Sequence, residues 1–127
     1  MPQITLEYTD NIKISRDFNF LFSEIHQHIN RILDINPLNC KSRALELSNY
    51  FIADGEISHA FAHLQIQTLN RHNPEKLKIL GESVFKELTD FFKDQVAGLL
   101  FQPSVEIAEM KQDLYFKWPA EKIKGFQ

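Results

Sequence analysis

His59-Ala60-Phe61-Ala62-His63-Leu64-Gln65-Ile66-Gln67-Thr68 alternates residue by residue, and Asn73-Pro74-Glu75 follows it closely. Ala60, Ala62, Leu64 and Ile66 share one side under the two-residue period of a strand, while Phe61 stands among polar residues on the other. Asn73 reads as an N-cap, Pro74 as a first-turn proline and Glu75 as a first-turn acid, so a helix begins there. Its apolar stripe is Leu77, Leu80, Val84, Leu88, Phe91 and Phe92, recurring at three- and four-residue steps. The helix is expected to end around Gly98, and Pro103-Ser104-Val105-Glu106-Ile107 then resumes an extended course. The order is strand, helix, strand.

The same order occurs upstream. Gln3-Ile4-Thr5-Leu6-Glu7-Tyr8 alternates as a strand, and Phe18, Leu21, Phe22, Ile25, Ile29, Ile32 and Leu33 form a second helical stripe that Asn36-Pro37 should stop. An extended run from about Lys41 to Ile52 sets Leu45 and Leu47 against Ala44, Glu46 and Ser48, and Asp54-Gly55 supplies a turn. Two βαβ units, about 1–56 and 57–127, therefore make up a single α/β domain. Right-handed crossovers would place both helices on one face of a four-stranded mixed sheet. The face left uncovered must be solvated or covered by another copy, and oligomerisation is the expectation. The aromatic tail Leu114-Tyr115-Phe116-Lys117-Trp118-Pro119 should dock, either on a neighbouring subunit or on its own chain.

Composition narrows the function classes. A hydrophobic content of 43% with 24% charged residues describes one compact domain. A net charge of -3 and a pI near 5.9 leave no footprint for nucleic acid or an anionic membrane. No apolar window is long enough for a membrane span and the first residues do not read as a signal sequence, so the cytoplasm is the expected location. Cys40 stands alone, without a partner for a disulfide or a zinc motif. With 4 glycines in the chain, no glycine-rich phosphate loop is present.

The chemistry centres on Met1-Pro2. If Met1 is removed, Pro2 becomes a secondary amine anchored on a strand, a base or nucleophile that no internal proline can supply. An α-amino group titrates near about 7.7 to 8.0, and desolvation or nearby cations bring it toward neutrality. Such a base suits proton abstraction next to a carbonyl. Other candidates are weaker. His26 and His28 point to different faces of a helix, and His59 and His63 share a strand face but lie too far apart to grip one metal, so no metal is expected. Glu106 and Glu109 fall on opposite faces of a strand, and Glu82, Glu87 and Asp90 read as the solvated face of the second helix.

Pro2 with its alternating strand ending Glu7-Tyr8-Thr9-Asp10-Asn11-Ile12, the Ser42-Arg43 pair, Ala53-Asp54-Gly55, Ala60-Phe61-Ala62-His63 and Leu114-Tyr115-Phe116-Lys117 together resemble the 5-carboxymethyl-2-hydroxymuconate isomerases of the tautomerase superfamily. The resemblance spans nearly the whole chain in order. It implies a homotrimer with sites near subunit boundaries, no cofactor, a small dicarboxylate or tricarboxylate substrate, and a place in aromatic catabolism. Pro2 would carry the proton between the enol oxygen and a distant carbon. Arg43, beside Ser42, is the first candidate for a substrate carboxylate, because its planar fork binds carboxylates bidentately. Lys41 shares its side of the strand. Before the second helix, ungapped comparison sets His72 opposite a family arginine and a one-residue shift restores Arg71; either residue would face an anion there. Two alternatives stand beside this reading: a tautomerase-fold enzyme acting on another enol or unsaturated acid, and a noncatalytic trimeric interaction protein.

Overall fold

The structure, a computed structural model, describes residues 1–118. In chain order it contains β1 (Gln3–Thr9), α1 (Phe18–Leu33), β2 (Lys41–Leu47), β3 (His59–Leu69), α2 (Pro74–Phe92) and β4 (Leu100–Met110), with 3-10 turns at Pro37–Asn39 and Gln112–Leu114. The four strands form one sheet in the order β2-β1-β3-β4. β1 runs parallel to β2 and β3 parallel to β4, while β1 and β3 meet antiparallel at the centre. This is the expected pair of βαβ units, with both helices on one face.

The alternation decides which face the helices cover. Ile4, Leu6 and Tyr8 of β1 and Ala60, Ala62, Leu64 and Ile66 of β3 are buried. They lie beneath Leu21, Phe22, Ile25, Ile29 and Leu33 of α1 and Leu80, Val84, Leu88, Phe91 and Phe92 of α2. Between the helices and the sheet runs a chain of rings: Phe18 stacks on Phe91 with centroids 5.4 Å apart, Phe91 meets Phe92 edge-on at 5.1 Å, and Phe92 contacts Phe101 at 5.3 Å. Such pairs add stabilisation beyond their buried area. Asn73 caps α2 by accepting from the Glu75 N–H at 2.8 Å, as the Asn-Pro-Glu pattern anticipates.

Several boundaries and faces differ from expectation. α1 ends at Leu33, where Asp34 adopts a left-handed conformation (φ 56°) and its N–H closes on the Asn30 carbonyl. Asn36-Pro37 instead builds the following 3-10 turn. α2 stops at Phe92, before Gly98, which sits in the next turn with φ 80°. β2 ends at Leu47 and does not reach Ile52. Ala44 pairs with Leu6 and goes beneath the helices, which sends Leu45 to the open face at 46% exposure. An edge strand has less helix above it, so its bulkier residues need not be the inward ones. Glu87 is not simply solvated: its carboxylate lies 3.0 Å from His28 Nε2, bridging α2 to α1.

The tail docks on its own chain in the described residues. Gln3 Nε2 donates to the Tyr115 hydroxyl at 3.0 Å, and Lys117 Nζ donates to Asn39 Oδ1 at 3.5 Å. Pro119 lies outside the described residues. No described helix is long and apolar enough to cross a membrane.

Candidate active site

Parallel pairing of β1 and β2 puts their first residues side by side, and the Lys41 N–H donates to the Pro2 carbonyl at 3.2 Å. The antiparallel neighbour β3 arrives with its last residues, Gln67 opposite Gln3, so the turn Asn70-Arg71-His72 that leads into α2 lies at the same corner. The turn is held there by the Asn70 N–H, which donates to the Met110 carbonyl at 2.9 Å, and by the Arg71 N–H, which donates to the Leu69 carbonyl at 2.9 Å. Pro2 is buried at this corner.

The electrostatics are unusual for a chain of net negative charge. The α-amine of Met1 is held below its ordinary value of 8.0, chiefly by burial and then by the positive fields of Arg71 and Lys117; Lys41 acts in the same direction and Cys40 opposes them. Burial pushes the Cys40 thiol up to about 11, which keeps it protonated and a poor nucleophile. His72 is also held below its usual value, by burial first, then by Arg71 and the amine. Its ring is therefore neutral near pH 7, and its Nε2 is buried without a hydrogen-bond partner among the described residues. Thr68 Oγ1, at the end of β3, is likewise buried and unpartnered.

Of the residues singled out from sequence, Pro2, Lys41, Arg71 and His72 meet at this corner. The one-residue ambiguity between Arg71 and His72 does not separate them, because both lie beside the amine. Arg43 lies on the open face of the sheet, one step along β2 from Lys41, and is joined to the corner through Gln3. Its guanidinium lies across β1, with Nη1 donating to the Ile4 carbonyl at 3.3 Å and to Thr5 Oγ1 at 3.2 Å, and Nη2 donating to Gln3 Oε1. Lys117 was not singled out as a site residue, although the Leu-Tyr-Phe-Lys motif containing it was the available signal. The remaining histidines have local partners: His26 with Ser42 Oγ at 2.7 Å, His59 with Asp54 at 3.0 Å, His63 with Ser104 Oγ at 2.7 Å. Among the described residues no group of three His, Cys, Asp or Glu side chains is placed to hold a metal.

The corner can thus accept a proton on an amine of lowered basicity and hold anions on nearby cations. Known proteins share its framework. Over 118 residues the chain is 27% identical to the 5-carboxymethyl-2-hydroxymuconate Delta-isomerase of Escherichia coli, covering 92% of this chain and 93% of that protein. The crystal structure of a 5-carboxymethyl-2-hydroxymuconate isomerase from Deinococcus radiodurans R1 superposes with a TM-score of 0.82 at 34% identity, covering 92% of this chain and 88% of the other. A fused 4-OT described as a symmetric trimer shares the fold at a TM-score of 0.67 and 9% identity, with coverages of 86% and 85%. The pattern that describes the 5-carboxymethyl-2-hydroxymuconate isomerases matches residues 2–123, and with the tautomerase-like arrangement of strands and helices this chain belongs to that family of isomerases.

Proposed function

We propose that this protein is a cofactor-free keto–enol isomerase that converts 5-carboxymethyl-2-hydroxymuconate to its conjugated oxo tautomer in aromatic catabolism. The observation that carries the reading is a main-chain amine at the start of β1, lowered in basicity by burial and ringed by Arg71, Lys117 and Lys41. Removal of Met1 moves that amine to Pro2, whose carbonyl is already tied to β2.

The chemistry is a proton transfer with no net redox change. Neutral Pro2 accepts the enolic hydroxyl proton, the electron pair delocalises along the conjugated system, and the prolinium returns a proton to the far carbon. Negative charge gathers on the substrate oxygen meanwhile, and prepositioned donors and cations stabilise it most where water is excluded. Arg71 binds a substrate carboxylate through its planar fork, Lys41 adds a point charge, and neutral His72 offers a ring nitrogen to a polar group. Arg43, on the open face beside Leu45, fits a homotrimer in which that face meets a second copy and Arg43 serves a site formed between subunits.

Intact-mass spectrometry and an ultraviolet assay on one purified sample test this. A mass lacking one methionine together with rapid conversion of 5-carboxymethyl-2-hydroxymuconate without added cofactor is expected. A processed amino terminus with no conversion would overturn the assignment of substrate. Sedimentation analysis of the same sample should give a trimer.

A further inference from the structure

We propose that the segment Tyr115–Lys117 is a strap that completes the amine corner, with Lys117 as the residue that selects substrates bearing several carboxylates. The proposal deepens the function above and rests on that reading for the identity of the natural substrate.

Two contacts bracket the beginning of β1. On one side Gln3 Nε2 donates to the Tyr115 hydroxyl at 3.0 Å, and on the other Lys117 Nζ donates to Asn39 Oδ1 at 3.5 Å. Asn39 stands just before Cys40 and Lys41, whose N–H holds the Pro2 carbonyl. The strap therefore links β1 to the loop that opens β2, close enough to the chain's first residues for the Lys117 charge to act on the amine. It begins where the tail leaves β4: the Gln112 N–H donates to Asn70 Oδ1 at 3.1 Å, and Asn70 adjoins Arg71. One set of hydrogen bonds thus ties the strap to the turn that carries Arg71 and to the strand that carries Pro2.

The consequence is a third cation from a third part of the chain. Arg71 comes from the β3–α2 turn, Lys41 from the start of β2 and Lys117 from the strap. A ligand with one carboxylate is satisfied by Arg71 alone, whereas a ligand with several separated carboxylates has use for cations approaching from different directions. An ammonium on a flexible stem, anchored at Asn39, suits a distal carboxylate whose position varies, where the rigid fork of arginine would be less accommodating.

Titration by NMR chemical shift, with tricarballylate and butyrate as probes, tests the strap without turnover. Lys117→Met should weaken tricarballylate binding about tenfold and butyrate binding less than about twofold, with Lys117→Arg restoring most of the preference. Tyr115→Phe, which removes the acceptor for Gln3, should erode the same preference about threefold while leaving the folded spectrum intact. Equal weakening of both probes, or no weakening, in Lys117→Met overturns the proposal. An inactive wild-type protein that still prefers tricarballylate through Lys117 would retire the proposed reaction and keep the strap.

Discussion

At the start of β1 the Lys41 N–H donates to the Pro2 carbonyl at 3.2 Å; at the start of β3 the Leu100 N–H donates to the Ser58 carbonyl at 2.8 Å. These are equivalent corners of the two βαβ units, each where a first strand meets its parallel partner. Their surroundings are opposite in charge. Around Pro2 stand Lys41, Arg71 and Lys117. Around Ser58 stand Asp54, whose carboxylate lies 3.0 Å from His59 Nε2, and Glu56, which accepts from the Ser58 N–H at 3.3 Å and from its hydroxyl. Hydrogen bonds from Glu56 and His59 hold the Asp54 carboxyl below its usual range, and the Ser58 hydroxyl does the same for Glu56. Repetition of a fold therefore copies geometry without copying chemistry. An internal peptide nitrogen is not basic, so of these two corners the one beside Met1 carries the amine, and of the two it is the one with the cations among the described residues.

The largest expected effect comes from removing the proline. In the processed protein Pro2→Ala should lower kcat by about 10²- to 10⁴-fold, the usual contribution of a positioned acid–base group, with an unchanged melting temperature. Wild-type turnover in that variant would erase the distinction between the two corners. Arg71→Ala should cost about 10- to 100-fold in kcat/KM through the loss of a charge-assisted hydrogen bond. It should also move the acidic limb of the pH–rate profile to higher pH. Arg71 disfavours the protonated amine, so its removal raises the amine's pKa and leaves less free base at a given pH. A limb that stays put would mean that the rate does not depend on that amine.

A smaller effect sharpens the contrast from the side of stability. Burial holds His26 below its ordinary value, with Nε2 at Ser42 Oγ. The folded state thus binds fewer protons than the unfolded one just below pH 6.5, and its contribution is complete above that value and lost as pH falls through the lower folded pKa. Thermal melts from pH 7 to pH 5 should show this decline, and His26→Gln should flatten part of it. Smallest of all is the effect expected at the second corner. Asp54→Asn should change kcat/KM by less than about twofold, because an exposed charge far from the amine is worth little to it. A larger loss would show that the two corners communicate.

How far the chain could be read in advance depends on what each residue's position responds to. Ala60, Ala62, Leu64 and Ile66 were grouped correctly on one side, the buried one, and the Asn73 cap was read correctly, since the two-residue period and the capping pattern are local. The alternation of Leu45 and Leu47 against Ala44 left open which set is covered, and on this edge strand it is the small Ala44 that lies beneath the helix. Glu87 misled because a stripe on one helix cannot reveal that His28 of another helix faces it. At the corner, Pro2 was singled out from its place beside Met1, and Arg71 and His72 through the family resemblance ahead of α2; their placement together is a matter of the fold. Lys117 lay in the Leu-Tyr-Phe-Lys motif, but nothing near it in the chain indicates that it crosses to Asn39.

The sequence by itself determined the strands, the helices and most of their buried faces, because periodicity, caps and turns act over a few residues. Only the tertiary structure decided that Lys41, Arg71 and Lys117 share a corner with the first residues, and that Arg43 lies across β1 with its guanidinium on Gln3 and Thr5. The reason is the register of the sheet. Parallel pairing aligns the starts of β1 and β2, antiparallel pairing brings the end of β3 to meet them, and the tail reaches back to Gln3 and Asn39; no local pattern encodes that convergence.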